Sequence, residues 1–246
     1  MCRLLGIKNF NYDSHKDLLE AFFALAETGN VLPGSPAGHH DGWGIGWYGN
    51  GTAKTEKSGG PASKEKERIF GILKGIGNSQ TLIAHLRKSA WEGTSTAEHA
   101  HPFTFKNAIF AHNGTLLSYK ELIPEIKAEN LPQPEALDTE YLFRFIAQGI
   151  GRGTEKALRL AVKRTENMEF TSLNSLLSDG KSLIAYRSYR IYPDYYTLYK
   201  AELPGSAVVC SEEILIYGLE PEDIPERGFE YAASRVIKWS PLSNGE

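Results

Sequence analysis

The sequence of this 246-residue chain predicts an α+β fold, and three observations carry the prediction. Short strand-like segments occupy both ends, amphipathic helical segments cluster in the middle, and no internal repeat or linker-like stretch separates them. Terminal strands that share sheets, with helices between, describe one layered unit over residues 1–246 rather than two domains in series. A hydrophobic content of 41% is sufficient for the core that such a unit needs.

The elements follow in order. Residues 2–8 read as a short apolar strand, and residues 15–28 carry a helical stripe through Leu18, Leu19, Phe22, Phe23 and Leu25 that Gly29-Asn30 stops. A Gly/Pro-rich loop over 29–42 leads into a strand at 43–48, which Gly49-Asn50-Gly51 turns back into 52–57. After a polar stretch at 58–66 and a helix, residues 81–87 and 107–112 read as buried strands flanking a polar loop. Helices are expected over 118–129, 139–148 and 154–165, with Ser118 and Glu121 spaced as a capping box and Asp138 placed as an N-cap. Strands return at 173–178 and 182–187 around Asp179-Gly180-Lys181, then at 195–201 and 207–210, and residues 240–246 are expected to fray.

Charge and composition narrow the partners. A formal net charge of -3 provides no field to attract a nucleic-acid backbone or an anionic membrane, so neither is expected. No apolar run reaches the roughly 18 residues that would span a bilayer, and Arg3 and Lys8 interrupt any secretory pattern, so the expected location is cytoplasmic. The expected partner is a small molecule. The two cysteines, Cys2 and Cys210, make no disulfide framework and lack zinc-site spacing.

Several short constellations have chemical potential. Removal of Met1 would place a thiol and a free α-amine on Cys2, a nucleophile with its own base, since an α-amine has a pKa near 8. A cysteine opening a strand is also an ordinary core residue. Asn113-Gly114 ends a strand with two donors of the kind that hold an oxyanion, although Asn-Gly is equally a common turn. Arg87 closes an apolar strand and offers a planar fork for a carboxylate, or is simply a solvated strand-end cation. Asp138 opens a helix, either as a plain cap or as the partner of a substrate ammonium, and His101 is either a proton shuttle or a fixed structural side chain. His39 and His40 precede the glycine-rich run Asp41-Gly42-Trp43-Gly44-Ile45-Gly46, but no third ligand stands at a recognisable spacing, and no metal is assigned.

Taken together, Met1-Cys2-Arg3-Leu4-Leu5-Gly6, His40-Asp41-Gly42-Trp43-Gly44-Ile45, His85-Leu86-Arg87, His101-Pro102-Phe103, His112-Asn113-Gly114 and Asp138-Thr139-Glu140 resemble the class II glutamine amidotransferases. They are most similar to the stand-alone group made of the glutaminase domain alone. The resemblance implies a four-layer αββα sandwich of the N-terminal-nucleophile hydrolase type, with Cys2 at the end of a central strand. It implies Cys2 as nucleophile, Asn113 and Gly114 as oxyanion hole, Arg87 on the substrate α-carboxylate, Asp138 on its α-amine and His101 beside the pocket. No metal or organic cofactor is implied. One departure stands out: relatives usually reach a glycine five positions after the arginine, whereas Arg87 to Gly93 is six and the insertion brings Trp91.

The implied reaction releases ammonia from glutamine through a Cys2 γ-glutamyl thioester. No Walker-type loop, Rossmann glycine pattern or second domain is visible, so ammonia would pass to a separate synthase subunit if it is passed at all. Two alternatives remain open at the level of sequence: a γ-glutamyl amidohydrolase acting on a conjugate, and a catalytically silent glutamine-binding subunit.

Overall fold

The structure is a computed structural model in which residues 2–214 and 239–246 are described. Met1, whose removal the sequence reading requires, lies outside the described residues. In chain order, β1 (Arg3–Asn11) leads into α1 (Tyr12–Thr28), and a hairpin of β2 (Trp43–Gly49) and β3 (Thr52–Ser58) follows. Next come α2 (Lys66–Ile76), β4 (Asn78–Leu86), β5 (Phe103–Phe105), β6 (Ala108–Asn113), α3 (Asp138–Ala147) and α4 (Thr154–Thr165). The chain then adds β7 (Asn174–Ser178), β8 (Leu183–Tyr186), β9 (Tyr199–Leu203), β10 (Ser206–Cys210) and β11 (Ser240–Pro241).

These strands form a seven-stranded sheet in the order β11-β9-β10-β1-β4-β2-β3 and a four-stranded sheet in the order β5-β6-β7-β8. Strand periodicity sorts the side chains into layers. On β1, Leu5 and Ile7 point outward to Leu19, Phe22 and Phe23 of α1 and to Ile69 and Leu73 of α2, whereas Leu4 points inward. On β6, Phe110 faces outward to Leu142, Phe143 and Ile146 of α3, whereas Ile109 and Ala111 point inward. The inward residues Leu4, Ile83, Ile109, Ala111 and Leu176 form a third cluster between the sheets. The expected αββα sandwich of the α+β class is therefore present.

The periodicity also aims the site. Cys2 shares the inward parity of Leu4, Arg87 that of Ile83, and Asn113 that of Ile109 and Ala111. All three stand at one end of the inter-sheet space. β1 is the middle strand of its sheet, and Arg3 lies opposite Leu86, so the residues just beyond, Cys2 and Arg87, are neighbours across the ladder.

Some expectations need correction. The helix predicted over 118–129 is a 3-10 helix, Tyr119–Glu125, followed by a second short one, Ala128–Asn130. Pro124 lies inside the first and supplies no N–H to an α-helical ladder. Ser118 makes no capping bond; its hydroxyl accepts from the Glu169 N–H instead. Asp138 is not the N-cap of α3 but its first residue, with Leu137 at the cap. Residues 195–198 are not strand, since Tyr195 and Tyr196 N–H groups both bond the Tyr192 carbonyl in a turn. The C-terminal residues are tied down rather than frayed: Ser240 pairs with Lys200, and Gly245 and Glu246 exchange backbone bonds with Arg187. Among the described residues, no helix is long and apolar enough to cross a membrane.

Candidate active site

Cys2 is 8% exposed and lines a cavity of about 30 Å³ at the end of the inter-sheet space. Arg87, Trp91, His99, His101, Gly114 and Asp138 line it too. Five of the six residues singled out from sequence, Cys2 included, thus line the cavity, and Asn113 joins them through a hydrogen bond to Cys2.

That bond runs from the Cys2 backbone N–H to Asn113 Oδ1 at 3.1 Å. It fixes which way the Asn113 amide faces, and the opposite atom, Nδ2, is buried without a hydrogen-bond partner among the described residues. An unsatisfied buried donor typically costs about 1–3 kcal/mol. Next along the chain, Gly114 packs so tightly that a Cβ would run into the Ser172 carbonyl oxygen, so only glycine fits. The Cys2 thiol points to the Lys88 carbonyl at 3.7 Å.

Arg87 is 3% exposed, and its four Nη hydrogens are all directed at protein oxygens. Nη1 donates to Thr94 O at 2.6 Å and Asp41 O at 3.3 Å; Nη2 donates to Thr94 Oγ1 at 2.8 Å and Ser89 Oγ at 2.9 Å. Burial lowers the Arg87 pKa from its ordinary value, and the neighbouring Cys2, Asp41 and Asp138 oppose that shift. Asp138, 3% exposed, accepts from the Leu116 N–H at 2.8 Å and from the Trp91 indole N–H at 3.3 Å. The inserted Trp91 therefore sits on one of the two charged residues expected to read the substrate.

Three histidines back the site. The imidazole of His101 stacks on that of His85 with ring centroids 4.4 Å apart, and burial pushes both well below the ordinary pKa, so both are neutral. His101 Nδ1 faces the His112 backbone, 3.0 Å from its carbonyl oxygen and 3.4 Å from its nitrogen. His112 donates from Nε2 to Ser172 O and accepts at Nδ1 from Thr139 Oγ1, both at 2.9 Å.

His39 and His40 do not act together. The His39 ring bonds Leu25 O through Nδ1 and accepts from Arg3 Nε through Nε2, while His40 faces Glu27 on the surface. Burial, reinforced by Arg3, lowers the His39 pKa to about 3. Among the described residues, no group of three or more His, Cys, Asp or Glu could hold a metal ion. Cys210 is fully buried, and burial pushes its thiol up to about 12.

Sequence reasoning missed His99, Thr115 and Thr139 on the cavity wall, and the part played by Asp41. The hydroxyl-rich stretch Ser89, Thr94, Ser95, Thr96 after Arg87 was the available signal, since such a run can satisfy a buried guanidinium.

Comparison with known proteins identifies the family. The family model for class-II glutamine amidotransferases matches residues 1–201. The uncharacterized protein MJ1515 of Methanocaldococcus jannaschii is 27% identical over 100% of this chain and 68% of its own length. YafJ of Escherichia coli, a glutamine amidotransferase by its name, is 28% identical over 78% of this chain and 75% of its own. In fold, the chain is similar to the glutamine phosphoribosylpyrophosphate amidotransferase of B. subtilis, with a TM-score of 0.63 at 16% identity. That match covers 86% of this chain but 42% of the larger enzyme. With the family model spanning most of its length, the chain belongs to the class-II glutamine amidotransferases.

Proposed function

We propose that the chain hydrolyses the side-chain amide of glutamine, with Cys2 as nucleophile after removal of Met1, and that residues 1–246 act as a single glutaminase domain. The observation that carries the reading is the Asn113 amide: its oxygen accepts from the Cys2 nitrogen, and its Nδ2 is a buried donor with no partner among the described residues. A tetrahedral oxyanion formed on Cys2 supplies the missing acceptor.

In the proposed sequence, the free α-amine of Cys2 takes the thiol proton, directly or through a water. The thiolate attacks the δ-carbonyl carbon, and the resulting oxyanion is held by Asn113 Nδ2 and the Gly114 N–H. The α-ammonium returns its proton to the departing nitrogen, the C–N bond breaks, and ammonia leaves a γ-glutamyl thioester. Water, deprotonated by the same amine, adds to the thioester; the C–S bond breaks, the thiolate is reprotonated, and glutamate is released.

Arg87 and Asp138 would hold the α-carboxylate and α-amine of the substrate, with His101 alongside in its neutral form. For Asp138 to take a substrate α-amine, Trp91 must release it, and the 88–95 segment that carries Trp91 must yield. The reading needs no cofactor. It includes a cytoplasmic location, and any ammonia that is passed on would go to a separate synthase subunit.

The test is to incubate the processed protein with L-glutamine and, separately, with γ-glutamyl conjugates of larger amines, measuring glutamate and the released amine. Hydrolysis of glutamine with kcat/KM above that for every conjugate is expected. Preference for a conjugate would make the protein a γ-glutamyl amidohydrolase. No turnover of either, with glutamine still bound, would make it a silent binding subunit.

A further inference from the structure

Asp41 belongs to the motif His40-Asp41-Gly42 that the proposed chemistry leaves without a role. The structure gives it a specific set of bonds. Its carboxylate accepts from the Ser89 N–H at 2.8 Å through Oδ2 and from the Ser95 hydroxyl at 2.9 Å through Oδ1. Its backbone brackets Arg87: the Asp41 N–H donates to Arg87 O at 3.0 Å, and its carbonyl accepts from Arg87 Nη1 at 3.3 Å. One half-buried residue thus holds both ends of the segment that leaves β4 and the guanidinium at its root.

That segment is cross-linked internally. Ser89 Oγ contacts the Trp91 N–H at 3.0 Å and the Thr94 hydroxyl at 2.8 Å, and the Thr94 hydroxyl donates to Trp91 O at 2.7 Å. Residues 89–94 therefore move as a unit, and the two carboxylate bonds of Asp41 fix that unit to the sheet at Ser89 and Ser95. The unit presents the Ser89 and Thr94 oxygens to Arg87 and the Trp91 indole to Asp138. These are the two charged residues at the amino-acid end of the cavity.

We infer that Asp41 is a positioning residue for substrate recognition: by fixing Ser89 and Ser95 it sets where Arg87 and Trp91 stand at the cavity, without touching substrate. This rests on the proposed glutamine-binding role of Arg87 and Asp138. It separates Asp41 from the nucleophile, because none of its bonds reaches Cys2, Asn113 or Gly114.

The inference makes a distinction that a merely structural role does not. Asp41→Ala frees both ends of the unit and is expected to raise KM for glutamine about tenfold or more, the effect of losing two such bonds, with kcat within about threefold of wild type. Asp41→Asn keeps the shape: its oxygen still accepts from Ser89 N–H, and its amide donates to Ser95 Oγ, so KM is expected within about threefold of wild type. Alkylation of Cys2 by iodoacetamide, which involves no glutamine recognition, should proceed no slower than in wild type in both variants, and faster in Asp41→Ala, where the segment beside the thiol is freed. An unchanged KM in Asp41→Ala, a loss confined to kcat, or an Asn variant as impaired as the Ala variant would overturn the inference. Should wild type hydrolyse no glutamine, the functional proposal fails on its own, and limited trypsin digestion then decides about Asp41. Cleavage after Lys88 at least tenfold faster in Asp41→Ala than in wild type and Asp41→Asn upholds its positioning role; equal rates overturn it.

Discussion

Asn113 and Asn174 lie directly opposite each other on β6 and β7, and both are fully buried, yet their hydrogen-bond accounts differ. Asn174 spends both ends of its amide on structure: Nδ2 donates to Thr197 O and Oδ1 accepts from Ser188 N–H, each at 3.1 Å. Asn113 spends only Oδ1, on the Cys2 nitrogen, and keeps Nδ2 unpaired. Buried polar groups are nearly always satisfied, and in the proposed reading the spare donor of Asn113 is the one offered to the oxyanion. The two cysteines repeat the lesson. Cys210 is sealed in the outer core with its pKa raised to about 12, whereas Cys2 borders the cavity.

The widest separation is expected between the cysteines. Cys2→Ala should abolish glutamine hydrolysis, on the order of 10⁴-fold or more in kcat, because Cys2 is the only thiol on the cavity wall among the described residues. Cys210→Ala should leave kcat within about threefold, and iodoacetamide should label Cys2 alone in the native protein. Labelling of Cys210 at a comparable rate would break the contrast.

The asparagines should then cross over. Asn113→Ala is expected to lower kcat about 10²–10³-fold, the usual effect of losing one oxyanion donor, while urea unfolding changes by less than about 1 kcal/mol. Asn174→Ala strands the Ser188 N–H and the Thr197 carbonyl and should cost about 2–4 kcal/mol of stability, with kcat per folded molecule nearly unchanged. If the two variants lose stability and activity in parallel, the distinction between them is wrong.

A smaller effect comes from the buried histidines. His85 and His101 are held neutral with folded pKa values well below 6.5, so below pH 6.5 the unfolded chain binds protons that the folded chain does not. Stability from this source is complete above pH 6.5 and declines as pH falls through that value, by about 1.4 kcal/mol per pH unit for each histidine. Urea unfolding at pH 7 and pH 5.5 measures it; equal stability at both would mean that these rings are protonated in the folded state.

The sequence made legible whatever depends on local pattern. The Asn50-Gly51 turn, both with positive φ, closes the β2–β3 hairpin where the Gly-Asn-Gly run places it, and α4 runs from Thr154 to Thr165 as its apolar period predicts. Where longer-range bonds decide, pattern was silent or misleading. β5 is only Phe103–Phe105 and exists because β6 pairs with it. Asp138 looked like a cap because an acidic residue opens a helix, but its carboxylate is drawn away by the Leu116 N–H and the Trp91 indole. Asp41 looked like part of a glycine-rich loop, and its partners Ser89 and Ser95 come from 48 and 54 residues away. In the same way, the free Nδ2 of Asn113 follows from a bond to Cys2 across 111 residues, which no local spacing could reveal.

The central claim, that processed Cys2 is the nucleophile of a glutamine-shaped pocket, is tested most directly by intact-mass spectrometry with a diazoketone analogue of glutamine. Spectra are taken of freshly purified protein before and after incubation, followed by peptide mapping. The expected result is a chain without Met1 that gains one adduct, mapped to Cys2, and gains none in Cys2→Ala. A processed chain that stays unlabelled, or an adduct on any residue other than Cys2, would contradict it.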